Sequence, residues 1–527
     1  MAAGRSTVKD GFANKIEFYA TTHFAPVWKL IQDIEPVRRR VNRTLINQAI
    51  LKMPCRPNPF STMAGYTSWD SLTDRTFDSR HLPPREDGDA GLPSVDDVAE
   101  LFMRSGETKL CPKSTVLFSY FAQWFTDGFL RSDRPRSPDQ DPDPRKNDSN
   151  HEIDLTPLYG PRPDVTRRLR EGSGGLLKSQ IINGEEYPPY LCKDARIKSD
   201  FEGLVPVRFN TVADEHKDRL FAVGGDTVNS QVGFVMMNVL FLREHNRIAR
   251  SLAERHQTWD DERLFETARN ILIVLLIKIV AEEYINHIIP YHFQFRTDPQ
   301  AFRNEPWYRT NWMAVEFNLL YRWHSLVPST YRIDGQDLSV AQTQFNTEIV
   351  TRRGLGPLFE DASNQRAGRI GLCNTDQYLL PHVEPPSIKR GRAVRLASYN
   401  DYRAHCRFPR VTDFDQISGD PNIQSALRRV YGNVDRIEFY VGLFAEDLRP
   451  NSALPPLLGR MVGIDAFSQA LTNPLLAARL FNEDTFSPLG MELIRTTNTL
   501  SDLLHRNLAP GSPHYFVSMT RRGWKRT

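Results

Sequence analysis

The chain has 527 residues, enough for several average domains or one large one and for a sizeable buried core. Hydrophobic residues make up 40% and charged residues 25%, an ordinary globular composition. The 67 Lys and Arg nearly balance 64 Asp and Glu, which excludes the basic footprint of a nucleic-acid partner.

Residues 15 to 52 alternate apolar and basic positions in the manner of short amphipathic helices. Phe18, Phe24, Val27, Trp28, Ile31 and Ile34 form the apolar set, and Arg38, Arg39, Arg40 and Arg43 a cationic cluster. Trp and Phe beside Arg suit a helix lying in a membrane interface; they equally suit a terminal helix packed on its own core. Residues 53 to 93, rich in Pro, Ser, Thr, Asp and Arg, read as surface chain wrapping the core. From Ser94 the pattern turns helical, with Val95, Val98, Leu101 and Phe102 on one face and Ser94 and Asp96 available near the N-terminus.

Residues 116 to 130 form an aromatic-rich helix with Gln123 and Asp127 at i, i+4. The loop 131 to 149 follows, with four prolines, five aspartates and four arginines. In Phe221-Ala-Val-Gly-Gly-Asp226-Thr227, Gly224 and Gly225 permit close backbone approach just before a long helix from about Gln231 to Glu254. That helix carries Leu242-Arg-Glu-His-Asn-Arg247, a polar network that needs only to satisfy its own hydrogen bonds and reads as scaffold. A second long helix runs from about Asp261 to Ile289. Near its end Tyr284, Ile285 and Ile288 stand at helical spacing, with Tyr291 just beyond.

The most informative stretch is Glu316-Phe-Asn-Leu-Leu-Tyr321-Arg-Trp-His324-Ser-Leu-Val-Pro328. Phe317, Leu320 and Trp323 recur at helical spacing and Pro328 stops the run, so the pattern predicts the end of a buried helix. On such a helix Tyr321 and His324 are i and i+3 and share a face. A neutral imidazole there could ligate a haem iron. A core helix that holds one Tyr and one His, each locally hydrogen-bonded, has the same pattern.

The segment Glu316 to Pro328 resembles the proximal-histidine segment of the cyclooxygenases and related fatty-acid dioxygenases in the animal haem peroxidase superfamily. Thr22-His23-Phe24 with Trp28 and Arg38, Asn150 to Gly160, Leu242 to Arg247, Tyr399 to Arg403 and Tyr431 to Gly442 resemble further family segments in the same order. Residues 462 to 477 look closer to the fungal dioxygenase branch. The resemblance runs from about residue 15 to about 505 without internal repeat.

It implies an all-α, mainly helical fold in a single large catalytic domain over 53–527, preceded by membrane-interface helices in 1–52. It also implies one haem b ligated by His324 and a catalytic radical on Tyr321. His245 is the rival ligand but lacks the adjacent tyrosine. Gln123 and Asp127 match the distal helix, with Asp127 standing where the family has its distal histidine. A carboxylate could take over that acid/base role only if apolar surroundings raised its pKa. Asp226, Thr227 and the two glycines would face the haem. Arg38 and Tyr291 would pair at a channel mouth to hold the substrate carboxylate, and Tyr284, Ile285, Ile288, Phe317 and Ser468 would line the channel. Asp154 and Thr156 fall on calcium-ligand positions, although one carboxylate and one hydroxyl fall short of a calcium shell.

The expected function is oxygenation of a polyunsaturated fatty acid by molecular oxygen; the alternative is a peroxidase acting on small reducing substrates, which Asp127 disfavours. Five cysteines without metal or disulfide spacing, and a polar N-terminus without a signal peptide's apolar core, lead to the expectation of a reducing cytoplasm, with peripheral membrane contact. The longest apolar run, Ile271 to Val280, contains Lys278 and is too short to span a bilayer. Oligomeric state is left open, a homodimer being compatible with the pattern.

Overall fold

The computed structural model describes residues 9–52, 76–131, 143–299, 301–308 and 312–526. The expected surface chain at 53–75 and the loop at 132–142 lie outside the described residues, as does Cys55. Helices dominate. Among the described residues the strands form four two-stranded antiparallel pairs, one of which joins Leu110–Thr115 to Arg366–Gly368.

The core is built on three helices, each of which carries a long apolar run that is buried on every side. Val232–Arg255 packs against Asp261–Ile279 on one side and Val116–Asp127 on the other. Such runs are buried because no face of them gains from water. Gly233 sets the crossing with Val116–Asp127, since a Cβ there would lie 2.2 Å from the Tyr120 ring. Asp260 caps the second long helix by accepting from the Arg263 amide. Before Pro290 that helix loosens into a π turn, Val280–Tyr284, and resumes as Ile285–Ile288. A π turn shifts the register of the side chains beyond it, here Tyr284 and its neighbours.

At the N-terminus three helices follow one another: α1 (Phe12–Thr22), α2 (Ala25–Asp33) and α3 (Glu35–Ile50). Asn42, Ile46 and Ile50 of α3 face inward at i, i+4, i+8, and α3 packs on helix Pro456–Leu471. The Gln32 side-chain amide donates to the Gln294 carbonyl, and that of Asn42 to the Arg296 carbonyl; their own oxygens accept from the backbone amides of Gln294 and Arg296. The outer faces are different: Phe12, Ile16, Tyr19, Phe24, Val27 and Leu30 are each more than half exposed. No helix among the described residues is long and apolar enough to cross a membrane.

The stretch expected as one helix through His324 is divided. The helix Val315–Leu320 stops before Tyr321, and a 3-10 turn, His324–Leu326, follows after Trp323 at φ −87°, ψ 49°. Continuing the helix would need the Leu320 carbonyl to accept from the His324 amide. The Trp323 indole N–H takes that carbonyl at 2.5 Å instead. Tyr321 and His324 are therefore held by a tight turn, and Pro328 is not what ends the helix.

Candidate functional site

The Tyr321 ring lies flat against Trp323, with centroids 4.8 Å apart, and edge-on to Phe317 at 5.0 Å. Its hydroxyl and that of Tyr284 are both buried and have no polar partner but each other. Burial pushes both phenols up. Both are therefore neutral phenols, paired with one another and with no carboxylate or carbonyl. Tyr284 also stacks on Phe118, which stacks on Trp323 at 5.7 Å, so the two tyrosines share one aromatic cluster.

His324 is held from one side. Its Nδ1 donates to Glu384 Oε1 at 3.0 Å, while Nε2 has no partner. One nitrogen fixed by a carboxylate and the other free is the arrangement of a histidine that ligates a metal. The rival His245 is closed at both ends. The Tyr159 hydroxyl lies 2.8 Å from Nδ1, and Nε2 donates to the Gly175 carbonyl at 2.9 Å. Burial pushes its pKa down to about 4, so it stays neutral inside the scaffold. Its neighbours do likewise: Glu244 binds Arg247, Arg506 and Asn507, and Arg243 binds Glu185 and the Glu186 carbonyl.

On Val116–Asp127, Gln123 makes no side-chain hydrogen bond and stays partly open, one turn before Asp127. Asp127 does not have the apolar surroundings that a carboxyl acid would need. Its Oδ2 accepts from the Thr227 hydroxyl and from Arg131 at 3.4 Å, and Arg131 reaches on to Asp226 at 2.6 Å. Asp226 and Thr227 thus join Asp127 in one charged cluster. Arg131 and Asp226 line a cavity of about 420 Å³. Gly224 and Gly225, expected against a haem edge, instead meet the turn at Thr156–Gly160. A Cβ on Gly224 would lie 2.1 Å from the Gly160 nitrogen, and the Gly225 amide donates to the Pro157 carbonyl. The calcium positions are internally satisfied: Asp154 accepts from the amide and hydroxyl of Thr156 and from Asn150. Among the described residues no group of three or more His, Cys, Asp or Glu could hold a metal ion.

Arg38 is half-buried near the start of α3 and makes no contact with Tyr291, so the expected pair does not form. The phenol of Tyr291 is pushed up by burial, and the charges acting on it are Glu17, Arg460 and Arg449. Lys52, just past the end of α3, pairs with Glu17; burial and Arg460 lower its pKa. Arg460 reaches Asn14 and the Cys406 carbonyl. Lys52 carried no signal in the sequence. Arg449 and Arg460 lie some 400 residues further along the sequence and gave no local signal. Ile285, Ile288 and Phe317 are buried, and Ser468 bonds back to the Asp465 carbonyl of its own helix.

The chain belongs to the animal haem peroxidase family, whose pattern matches residues 126–513. It is 32% identical over 495 residues to prostaglandin G/H synthase 2 of Equus caballus, covering 92% of this chain and 79% of that protein. With prostaglandin G/H synthase 1 of Mus musculus it shares 32% over 478 residues, 87% of this chain and 77% of that one. Among solved structures it resembles fatty acid alpha-dioxygenase of Oryza sativa, with a TM-score of 0.66, 17% identity, and 94% and 96% of the two chains covered. Peroxidase A of Dictyostelium discoideum aligns with a TM-score of 0.64 and 20% identity, over 88% of this chain and all of that one. The family implies haem and its iron, and the open Nε2 of His324, backed by a carboxylate, fits that group.

Proposed function

We propose that the chain is a haem-dependent dioxygenase that adds molecular oxygen to a polyunsaturated fatty acid through a radical on Tyr321. The observation that carries this reading is the pairing of a buried phenol, whose hydroxyl meets only that of Tyr284, with a histidine three residues on whose single free nitrogen can bind iron. The prostaglandin G/H synthase and fatty acid alpha-dioxygenase relatives support it.

When bound, the haem supplies the oxidising equivalent, drawn from a peroxide. His324 would hold the iron through Nε2, and Tyr321 would pass the electron and proton of its O–H to that oxidising equivalent. The Tyr321 radical takes a hydrogen atom from the acid chain, and oxygen adds to the carbon radical. The peroxyl radical then takes the hydrogen back from Tyr321, so that one C–H bond and one O₂ become one C–OOH. Tyr284, Ile285, Ile288 and Phe317 supply the apolar surroundings that exclude water from this exchange. The acid's carboxylate is held at the cations around Tyr291, with Arg460 and Arg449 in the place first assigned to Arg38. The exposed apolar faces of α1 and α2, beside Lys15 and Lys29, rest on a membrane surface from which the acid enters.

Peroxidase turnover of small reducing substrates is disfavoured by the ion pairing of Asp127. Substitution Tyr321→Phe is expected to abolish oxygen uptake with linoleate while leaving the Soret band unchanged. Uptake at the wild-type rate would overturn the radical reading.

A further inference from the structure

Glu384 sits inside the helix Leu380–Ala393, followed at once by Pro385 and Pro386, and is 1% exposed. Its Oε1 accepts from His324 Nδ1 at 3.0 Å and from the Thr375 hydroxyl at 2.8 Å, and its Oε2 from the Tyr440 hydroxyl at 2.7 Å. Thr375 and Tyr440 are themselves buried. Three donors converge on this carboxyl, and none of them is a lysine or arginine. Burying a carboxylate without a cation is costly, and nothing in the packing requires it here, because glutamine has nearly the same shape.

The histidine is what the charge acts on. A carboxylate can only accept, so Nδ1 carries the proton and the Nε2 lone pair is left free. An anion at Nδ1 also pushes electron density through the ring toward Nε2. We propose that Glu384 is a positioning residue: it fixes the tautomer of His324 and makes that imidazole a stronger donor to the haem iron. Electron donation from the proximal ligand favours O–O cleavage, as a thiolate ligand does elsewhere. In this chain that push offsets the missing distal imidazole, since Asp127 is tied to Arg131 and Thr227.

This inference rests on His324 being the haem ligand, and the test separates the two. In the haem-loaded protein, Glu384→Gln is expected to raise the ferric/ferrous midpoint potential and lower the iron–histidine stretching frequency of the ferrous form. It is also expected to weaken haem binding by about 10- to 100-fold. Tyr440→Phe removes a donor from Glu384, leaves more of its charge for His324, and is expected to shift potential and frequency the opposite way. If His324 is the ligand and Glu384→Gln matches wild type in both readouts, this inference alone falls; it falls too if both variants shift the same way, as packing damage would. If His324→Ala keeps the wild-type ferrous spectrum, the ligand reading falls and this one with it.

Discussion

Asp127 is the residue in which this chain departs most from a peroxide-cleaving site. A distal group must take a proton from peroxide and return it to the leaving oxygen, and a carboxylate held by Arg131 and Thr227 is poor at both. Replacing it by an imidazole, Asp127→His, is expected to raise peroxidase turnover of a small phenol by on the order of 10²-fold, read by stopped-flow absorbance. An unchanged rate would place proton handling on another group. The sequence shows Gln123 and Asp127 at i, i+4 spacing, and the structure keeps both on one helix. The sequence did not show the ion pair, since Arg131 and Asp226 come together across 95 positions. Glu384 was less legible still: one acid in a run with two prolines carries no period and no motif, and its role depends on three donors from separate segments.

Whole helices were easier to read than single contacts. Val232–Arg255 and Asp261–Ile279 follow from hydrophobic period and capping, within a residue or two at the start of each. The break after Leu320 did not, because a side chain, the Trp323 indole, ends that helix. The π turn Val280–Tyr284 was also hidden, and it carries a testable charge. Glu283 accepts from the Leu500 amide, yet burial raises its pKa to about 7, with Asp502 adding repulsion. The folded state therefore binds this proton more tightly than the unfolded chain. The resulting stability is complete below about pH 4.5 and is lost as pH rises through 7. Glu283→Gln is expected to flatten that slope in chemical unfolding and to be more stable than wild type at pH 8, by at most about 3 kcal/mol because the side chain is partly exposed. Equal slopes for the two proteins would reject the assignment. His245 acts with the opposite sign: its pKa is depressed to about 4, so its contribution is present above 6.5 and lost as pH falls toward 4.

At the scale of the molecule, the exposed apolar residues concentrate on α1 and α2 while the inner face of α3 is bound to the core. Such a patch marks an interaction surface. Substituting Phe24→Glu together with Leu30→Glu is expected to weaken cosedimentation with anionic phospholipid vesicles by about tenfold or more. Thermal stability should hardly change, since both side chains are more than half exposed. Undiminished binding would assign membrane contact elsewhere. Sequence composition showed the amphipathic character of this region but left a membrane face and a core-packed face equally open; the accessible rings of Phe12, Tyr19 and Phe24 favour the first.

These same helices are fastened by partners far along the chain. Arg403 donates to the Lys9 carbonyl across 394 positions, Arg449 pairs with Asp10 across 439, and Arg460 reaches Asn14 across 446. During translation at about 5–20 residues per second, the start of α1 therefore waits roughly 20–80 s for these partners, whereas Gln32 of α2 meets Gln294 sooner. In that interval α1 is tied down towards its far end, where the Thr21 carbonyl accepts from the His292 amide, so the beginning of the chain is among the last parts of the fold to be fixed.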